Sequence, residues 1–223
     1  MIHLPTVTLW AMVRSGDKEY TECTVRVVRY CCRLFKFNRV VFMTRREPVN
    51  CPSSWELIQI PNTDLGGANI FHVHVTPLLL QGPGHFLSVH EDGFPIDPSL
   101  WTDEFLDYDY IGAPWAASSP WVPGGQPMVG NGGFYLESRR CLDAKARLPF
   151  LNPDAPEAGD VFPCITHRAQ MEQAGVRFAP TDLAERFSTE QTAKDAPSFG
   201  FHGHRESPKK YAQGWHQIEM SER

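Results

Sequence analysis

The sequence predicts an α/β fold with a mainly parallel sheet flanked by helices, on two observations: the chain opens as strand, helix, strand, and a later strand runs directly into adjacent acidic residues. Residues 6–13, Thr-Val-Thr-Leu-Trp-Ala-Met-Val, are rich in β-branched and large apolar side chains and stop at the turn formers Ser15, Gly16 and Asp17. Glu22, Arg26, Arg29, Arg33 and Lys36 then recur at steps of four and three, with Cys23, Val27, Tyr30, Cys31 and Leu34 on the opposite face, which is the period of an amphipathic helix. A second β-rich run at 39–44 completes the unit, and such a unit implies a parallel pair with a right-handed crossover.

Further along, residues 68–81 are apolar with helical character, and Gly82-Pro83-Gly84 separates them from a strand at 86–90. Glu91 and Asp92 therefore fall just past a strand end, where open α/β sheets bind their ligands. Residues 116–129, rich in Ser, Pro and Gly, read as a long surface loop, and Gly130-Asn-Gly-Gly-Phe134 turns tightly into a short strand. Helices are expected from 139 to 145, from 161 to about 174 with Gly175 as its C′ residue, and from 181 to 187 with Thr181 as cap. A second loop is expected at 152–160 and a strand at 176–180.

Composition narrows the functional classes. A chain of 223 residues suits one domain spanning 1–223, and 42% hydrophobic with 21% charged residues is ordinary for a soluble globular protein. A formal charge of -5 gives no positive field for a phosphate backbone, so nucleic acid is not an expected partner. The first residues lack a basic segment followed by an apolar one, and no stretch approaches the roughly 18 apolar residues of a membrane span. A cytoplasmic protein without a transmembrane segment is expected. Its six cysteines lack the C-x-x-C spacing of zinc or redox sites, and they read as reduced thiols, with Cys31-Cys32 as core filler. Neither G-x-G-x-x-G at the first strand-to-helix turn nor a P-loop string is present, so dinucleotide and P-loop chemistry lack their glycines.

The groups able to carry chemistry are Glu91 and Asp92, the amide in the glycine turn at Asn131-Gly132-Gly133, the acid Asp160, and His202 and His204 near the end. Carboxylate, imidazole and substrate oxygen together make a shell for Mn²⁺ or Mg²⁺, which neutralises a departing diphosphate. Each group also has a plainer reading. Adjacent acids occur in solvated turns, Asn131 suits a turn needing positive φ, Asp160 suits a helix cap, and His202 suits an aromatic cluster. Arg45, Arg46, Lys209 and Lys210 read as solvated charges, and His72 and His74 as structural residues.

Several strings resemble a known family: His90-Glu-Asp-Gly-Phe94, Trp101-x-x-Glu-Phe-x-x-Tyr-Asp-Tyr-Ile-Gly-Ala-Pro-Trp115, Gly130-Asn-Gly-Gly-Phe134, Phe178-Ala-Pro180, Arg186-Phe-Ser-x-Glu190 and Phe199-Gly-Phe-His202. They are similar to a microbial family catalogued as a domain of unknown function, over about residues 7–203, and that family resembles GT-A glycosyltransferases. The resemblance implies a GT-A-like, Rossmann-like mixed sheet, mainly parallel, and transfer of a sugar from a nucleoside-diphosphate sugar. UDP-sugar is the commonest donor among relatives; the acceptor is left open between a glycan, a lipid-linked and a small-molecule acceptor. It implies Asp92 as metal ligand, with one aspartate of the usual pair absent, so that the grip is a single carboxylate or is assisted by Glu91, itself placed among the substrate-binding residues, and His202 as a second ligand. Gly132, Gly133 and Phe134 with Asn131 would line the donor sugar and acceptor, and Trp115 would stack on a sugar or plug the core. Asp160 is the implied general base of an inverting transfer, although Gly159 replaces the first acid of the relatives' Glu-Asp pair. A module of the same fold that binds nucleotide sugars or glycans without catalysis is the alternative.

Overall fold

The computed structural model describes residues 1–48, 50–60, 75–82, 84–120, 122–148 and 159–223. The opening unit is β1 (Ile2–Val13), α1 (Lys18–Leu34) and β2 (Phe35–Thr44), and β1 and β2 pair in parallel with a register irregularity between Leu4 and Thr8. Asp17 caps α1 by accepting from the Tyr20 amide at 2.8 Å, and Glu19 in the first turn and Arg33 in the last suit the helix dipole. Both strands are longer than their β-rich cores suggest. The helix ends at Leu34, so Lys36 belongs to β2.

The chain continues through β3 (Glu56–Gln59), α2 (Thr76–Leu79), β4 (His85–Ser88), β5 (Gly93–Pro95), β6 (Tyr110–Gly112), β7 (Pro114–Trp115), β8 (Met128–Val129) and β9 (Tyr135–Ser138). It ends with α3 (Arg139–Lys145), α4 (Arg168–Gln173), α5 (Thr181–Phe187), β10 (Ser188–Thr189), β11 (Gly200–His202) and α6 (Pro208–Glu222). The main sheet has the order β3-β2-β1-β4-β9-β6, with β9 alone running against the others. It is a mixed, mainly parallel sheet flanked by helices, as the sequence predicts. Val7, Thr8, Leu9, Trp10 and Ala11 on β1 are all buried, because a central strand covered on both faces needs side chains that tolerate the core in either direction.

The strand order reverses between β1 and β4, since the chain moves from β1 to β2 on one side and later returns to place β4 on the other. In open α/β sheets ligands bind at such a reversal, outside the carboxyl ends of the strands.

A second sheet closes over this end, with β11 antiparallel to β5 and parallel to β10. It rests on aromatic rings: Phe134 lies flat on Phe187 at 4.9 Å, Trp101 meets Phe199 edge-on at 5.3 Å, and Phe94 meets Phe201 at 5.0 Å. Such pairs each contribute about 0.5–1.5 kcal/mol beyond the area they bury. Helix α6 packs behind the second sheet, where Gly214 accommodates the Phe94 ring, and Tyr30 of α1 donates to Gln217 at 2.8 Å.

Some local expectations need correction. The segment 176–180 forms a single bridge, Phe178 to Tyr110, because Pro180 has no amide to extend a ladder. The helix expected from 161 is broken: Phe162–Thr166 winds as a wider turn in which His167 donates to the Phe162 carbonyl, and α4 starts afresh at Arg168. Gly175 does close α4 with a positive φ of 84°. Thr181 is the first residue of α5 and Pro180 holds the cap position, with no side-chain cap. The described residues of 116–129 are largely irregular, but the last two of them pair with β7. His72, His74 and most of the 152–160 loop lie outside the described residues. The six cysteines form no disulfide. Among the described residues no helix is long and apolar enough to cross a membrane.

Candidate functional site

The site is assembled at the carboxyl end of β4. His90 and Gly93 exchange backbone hydrogen bonds of 2.8 and 3.2 Å, which folds the chain into a tight turn carrying Glu91 and Asp92 at its tip. The antiparallel pairing of β11 with β5 sets His202 opposite Gly93. A side chain at Gly93 would come within 2.9 Å of the His202 ring, and one at Gly133 would fall on it. Two glycines from distant parts of the chain thus form the slot that the imidazole occupies.

In this slot His202 Nε2 stands 3.7 Å from Asp92 Oδ1, and Nδ1 stands 3.4 Å from Glu190 Oε1. His204 Nδ1 is 3.5 Å from Asp92 Oδ2. His90 meets His202 edge-on with ring centroids 6.4 Å apart. His90, Asp92 and His202 each offer a donor atom within 4.8 Å of the other two, a group able to hold a metal ion. Opposite ligands of a small divalent ion stand about 4.2 Å apart, a separation of the same order. Burial pushes the His90 imidazole down to about 4, helped by the neighbouring His202, which leaves His90 neutral and ready to ligate. Burial also opposes the charge on His202, but Glu190, Asp92 and Asp160 outweigh it and hold its pKa above the usual histidine range.

Asn131 is buried with a positive φ of 42°. Its Nδ2 donates to Glu190, its Oδ1 accepts from the Gly133 amide at 3.2 Å, and its carbonyl accepts from the Tyr110 hydroxyl at 2.9 Å. Asp160 sits across Gly132, where an added side chain would meet its Cβ at 2.6 Å, and its carboxylate accepts from the Val161 amide at 2.9 Å. The structure therefore brings Asp92, His202, Asn131, Gly132, Gly133 and Asp160 into one neighbourhood.

Three other residues singled out in the sequence face elsewhere. Glu91 lies outside the three-residue cluster. Its carbonyl accepts from Trp215 of α6 at 3.2 Å, and burial followed by repulsion from Asp92 raises the pKa of its carboxyl group, with the Tyr20 hydroxyl of α1 opposing. Phe134 is fully buried on Phe187, and Trp115 is buried with its ring over Gly130, where a side chain would collide with it. Lys210, read as solvated, is instead drawn inward and donates to Thr189 Oγ1 at 2.6 Å, the Ala196 carbonyl at 2.7 Å and Ser198 Oγ at 2.8 Å. His90 and Glu190 are functional candidates that the sequence reading leaves without a role. The alternation His90-x-Asp92 is a usable signal, and Glu190 is marked only as the end of the Arg186-Phe-Ser-x-Glu190 string.

Two solved structures share this architecture over nearly the whole chain. A glycosyltransferase involved in the glycosylation of the major capsid of PBCV-1 is similar over 97% of this chain and 100% of its own, with a TM-score of 0.53 and 13% identity. The galactosyltransferase LgtC, solved with donor and acceptor sugar analogs, is similar over 96% of this chain and 95% of its own, with a TM-score of 0.53 and 12% identity. The fold is that of the GT-A class. Residues 80–202 match the family described as "Protein of unknown function (DUF5672)", more than half of the sequence, and the chain belongs to that family. The bifunctional IspDF from Campylobacter jejuni is similar over 80% of this chain at 9% identity and a TM-score of 0.48, too weak to bear on the fold; the chain spans about half of it, 49%. No curated protein matches the sequence.

Proposed function

We propose that the protein is a glycosyltransferase that moves a sugar from a nucleoside-diphosphate sugar, with UDP-sugar as the first donor to test, onto an acceptor hydroxyl with inversion. The observation that carries this reading is the position of the His90, Asp92 and His202 group, at the carboxyl end of β4 where the strand order reverses, with Asp160 nearby across a glycine turn. The two similar glycosyltransferases, one of them solved with donor and acceptor sugar analogs, support it.

His90, Asp92 and His202 would hold Mn²⁺ or Mg²⁺, which neutralises the charge of a leaving diphosphate. Two imidazoles beside one carboxylate suit Mn²⁺ better than Mg²⁺, which prefers oxygen. The small residues Gly132 and Gly133 let a ligand approach the backbone closely. Asp160 takes the proton from the acceptor hydroxyl as that oxygen bonds to the anomeric carbon, while the bond from that carbon to the diphosphate breaks and its electron pair leaves with the diphosphate.

A panel of nucleotide sugars with Mn²⁺ tests the proposal by following both released nucleotide and thermal protection. Release with at least one donor is expected. Protection without release from any donor, with glycan, lipid-linked and small-molecule acceptors supplied, would instead mark a non-catalytic binding module, the reading that Gly159 favours.

A further inference from the structure

Glu190 is a carboxylate whose side chain keeps 10% of its exposure, and such a group needs partners. Among the described residues it stands 3.4 Å from His202 Nδ1, an ion-pair contact without hydrogen-bond alignment, and it accepts from the side-chain amide of Asn131. The two nitrogens of the imidazole face opposite ways here, with Nδ1 toward Glu190 and Nε2 toward Asp92. Gly93 and Gly133 restrict where the ring can lie but not which way round it lies. A half-turn of the ring would send carbon toward Asp92, and the slot alone does not forbid it. A carboxylate on the Nδ1 side does, because it prefers an N–H there and leaves the lone pair on Nε2.

We infer that Glu190 is a positioning residue, which fixes the orientation and tautomer of His202 so that Nε2 faces the cation held with His90 and Asp92, and that Asn131 holds Glu190 in place. This rests on the metal-dependent reading above. It gives the Gly130-Asn-Gly-Gly-Phe134 turn a second task beside any contact with sugar. The turn clears room for the imidazole through Gly133 and, through Asn131, holds the carboxylate that orients it. Asn131 is suited to this because its side chain donates to Glu190 while accepting from the Gly133 amide, so carboxylate and slot are tied to one residue.

The test is the affinity for Mn²⁺ alone, measured by the spin-resonance signal of the free ion, in wild type, Glu190→Gln and Asp92→Ala. Wild type should bind one ion and Asp92→Ala none. Glu190→Gln should bind about 10–100-fold more weakly, the usual effect of losing such an outer partner, while the metal-free protein melts within a few degrees of wild type. Glu190→Gln binding within threefold of wild type overturns the role of Glu190 and leaves the metal site standing. Wild type that binds neither Mn²⁺ nor Co²⁺ overturns both. Nitrogen-15 shifts of His202 in the wild-type protein, recorded at alkaline pH where the ring is neutral, need no variant. The proton is expected on Nδ1, and a proton on Nε2 would refute the assignment.

Discussion

His202 can stand beside Asp92 because Gly93 and Gly133 leave open the space that its ring fills, which makes Gly133 a residue with a measurable role. Gly133→Ala adds a methyl group on the imidazole and must expel the ring or push back the turn. We expect a stability loss of about 1–3 kcal/mol, as for other overpacked sites, and at least tenfold weaker Mn²⁺ binding. Unchanged melting and unchanged affinity would show that the slot is not as tight as drawn. Asp160 makes the complementary prediction. General bases contribute about 10²–10⁴-fold in rate, so Asp160→Asn should lower turnover by that factor with donor affinity nearly intact. Turnover within threefold of wild type would leave Asp160 as a group that merely holds the Val161 amide. Asp92 and His202 are legible in the sequence because a strand end and a recurring string mark them. His90 is marked only by its place two residues before Asp92 and Glu190 only by the string it ends, since their nearness to His202 arises when β11 pairs with β5 and β10. Trp115 and Phe134 show the converse. Aromatic residues beside a glycine turn read equally well as sugar platforms and as core, and the structure buries both.

At the scale of elements, the opening β-α-β unit, the strand before Glu91 and helix α3 follow from periodicity and turn residues, because local pattern decides them. The broken helix at His167 and the single bridge at Phe178 do not, because a wide turn and a proline's missing amide override the local pattern. The contact between α6 and the segment after β10 also escapes sequence reading. There Lys210 reaches inward to Thr189, Ala196 and Ser198, and burial pushes its pKa down to about 8, with Asp195 opposing. Below pH 8 the lysine is charged in both folded and unfolded chains, and the full cost of burying it is present. Between pH 8 and about 10.5 the unfolded chain holds the proton and the folded one does not, so this group's contribution to stability rises with pH. Cysteines titrate in the same range, so the comparison is with Lys210→Met. The melting temperature of wild type relative to that variant should increase from pH 7.5 to 9.5. A flat or falling difference would mean that the three hydrogen bonds keep Lys210 charged.

At the scale of the molecule, one topological fact sets the location of the candidate site: the strand order reverses between β1 and β4, and the chain puts His90 and Asp92 immediately past β4. The second sheet, carried on its layer of aromatic rings, then delivers His202 and Glu190 from the far end of the sequence to the same place. In the proposed function this group holds the diphosphate of a sugar donor through a divalent cation. This is tested most directly by the affinity for UDP with and without Mn²⁺ in wild type and Asp92→Ala, measured by calorimetry. Mn²⁺ is expected to strengthen UDP binding in wild type, and Asp92→Ala to abolish the enhancement. UDP affinity that ignores Mn²⁺ in both proteins would contradict it.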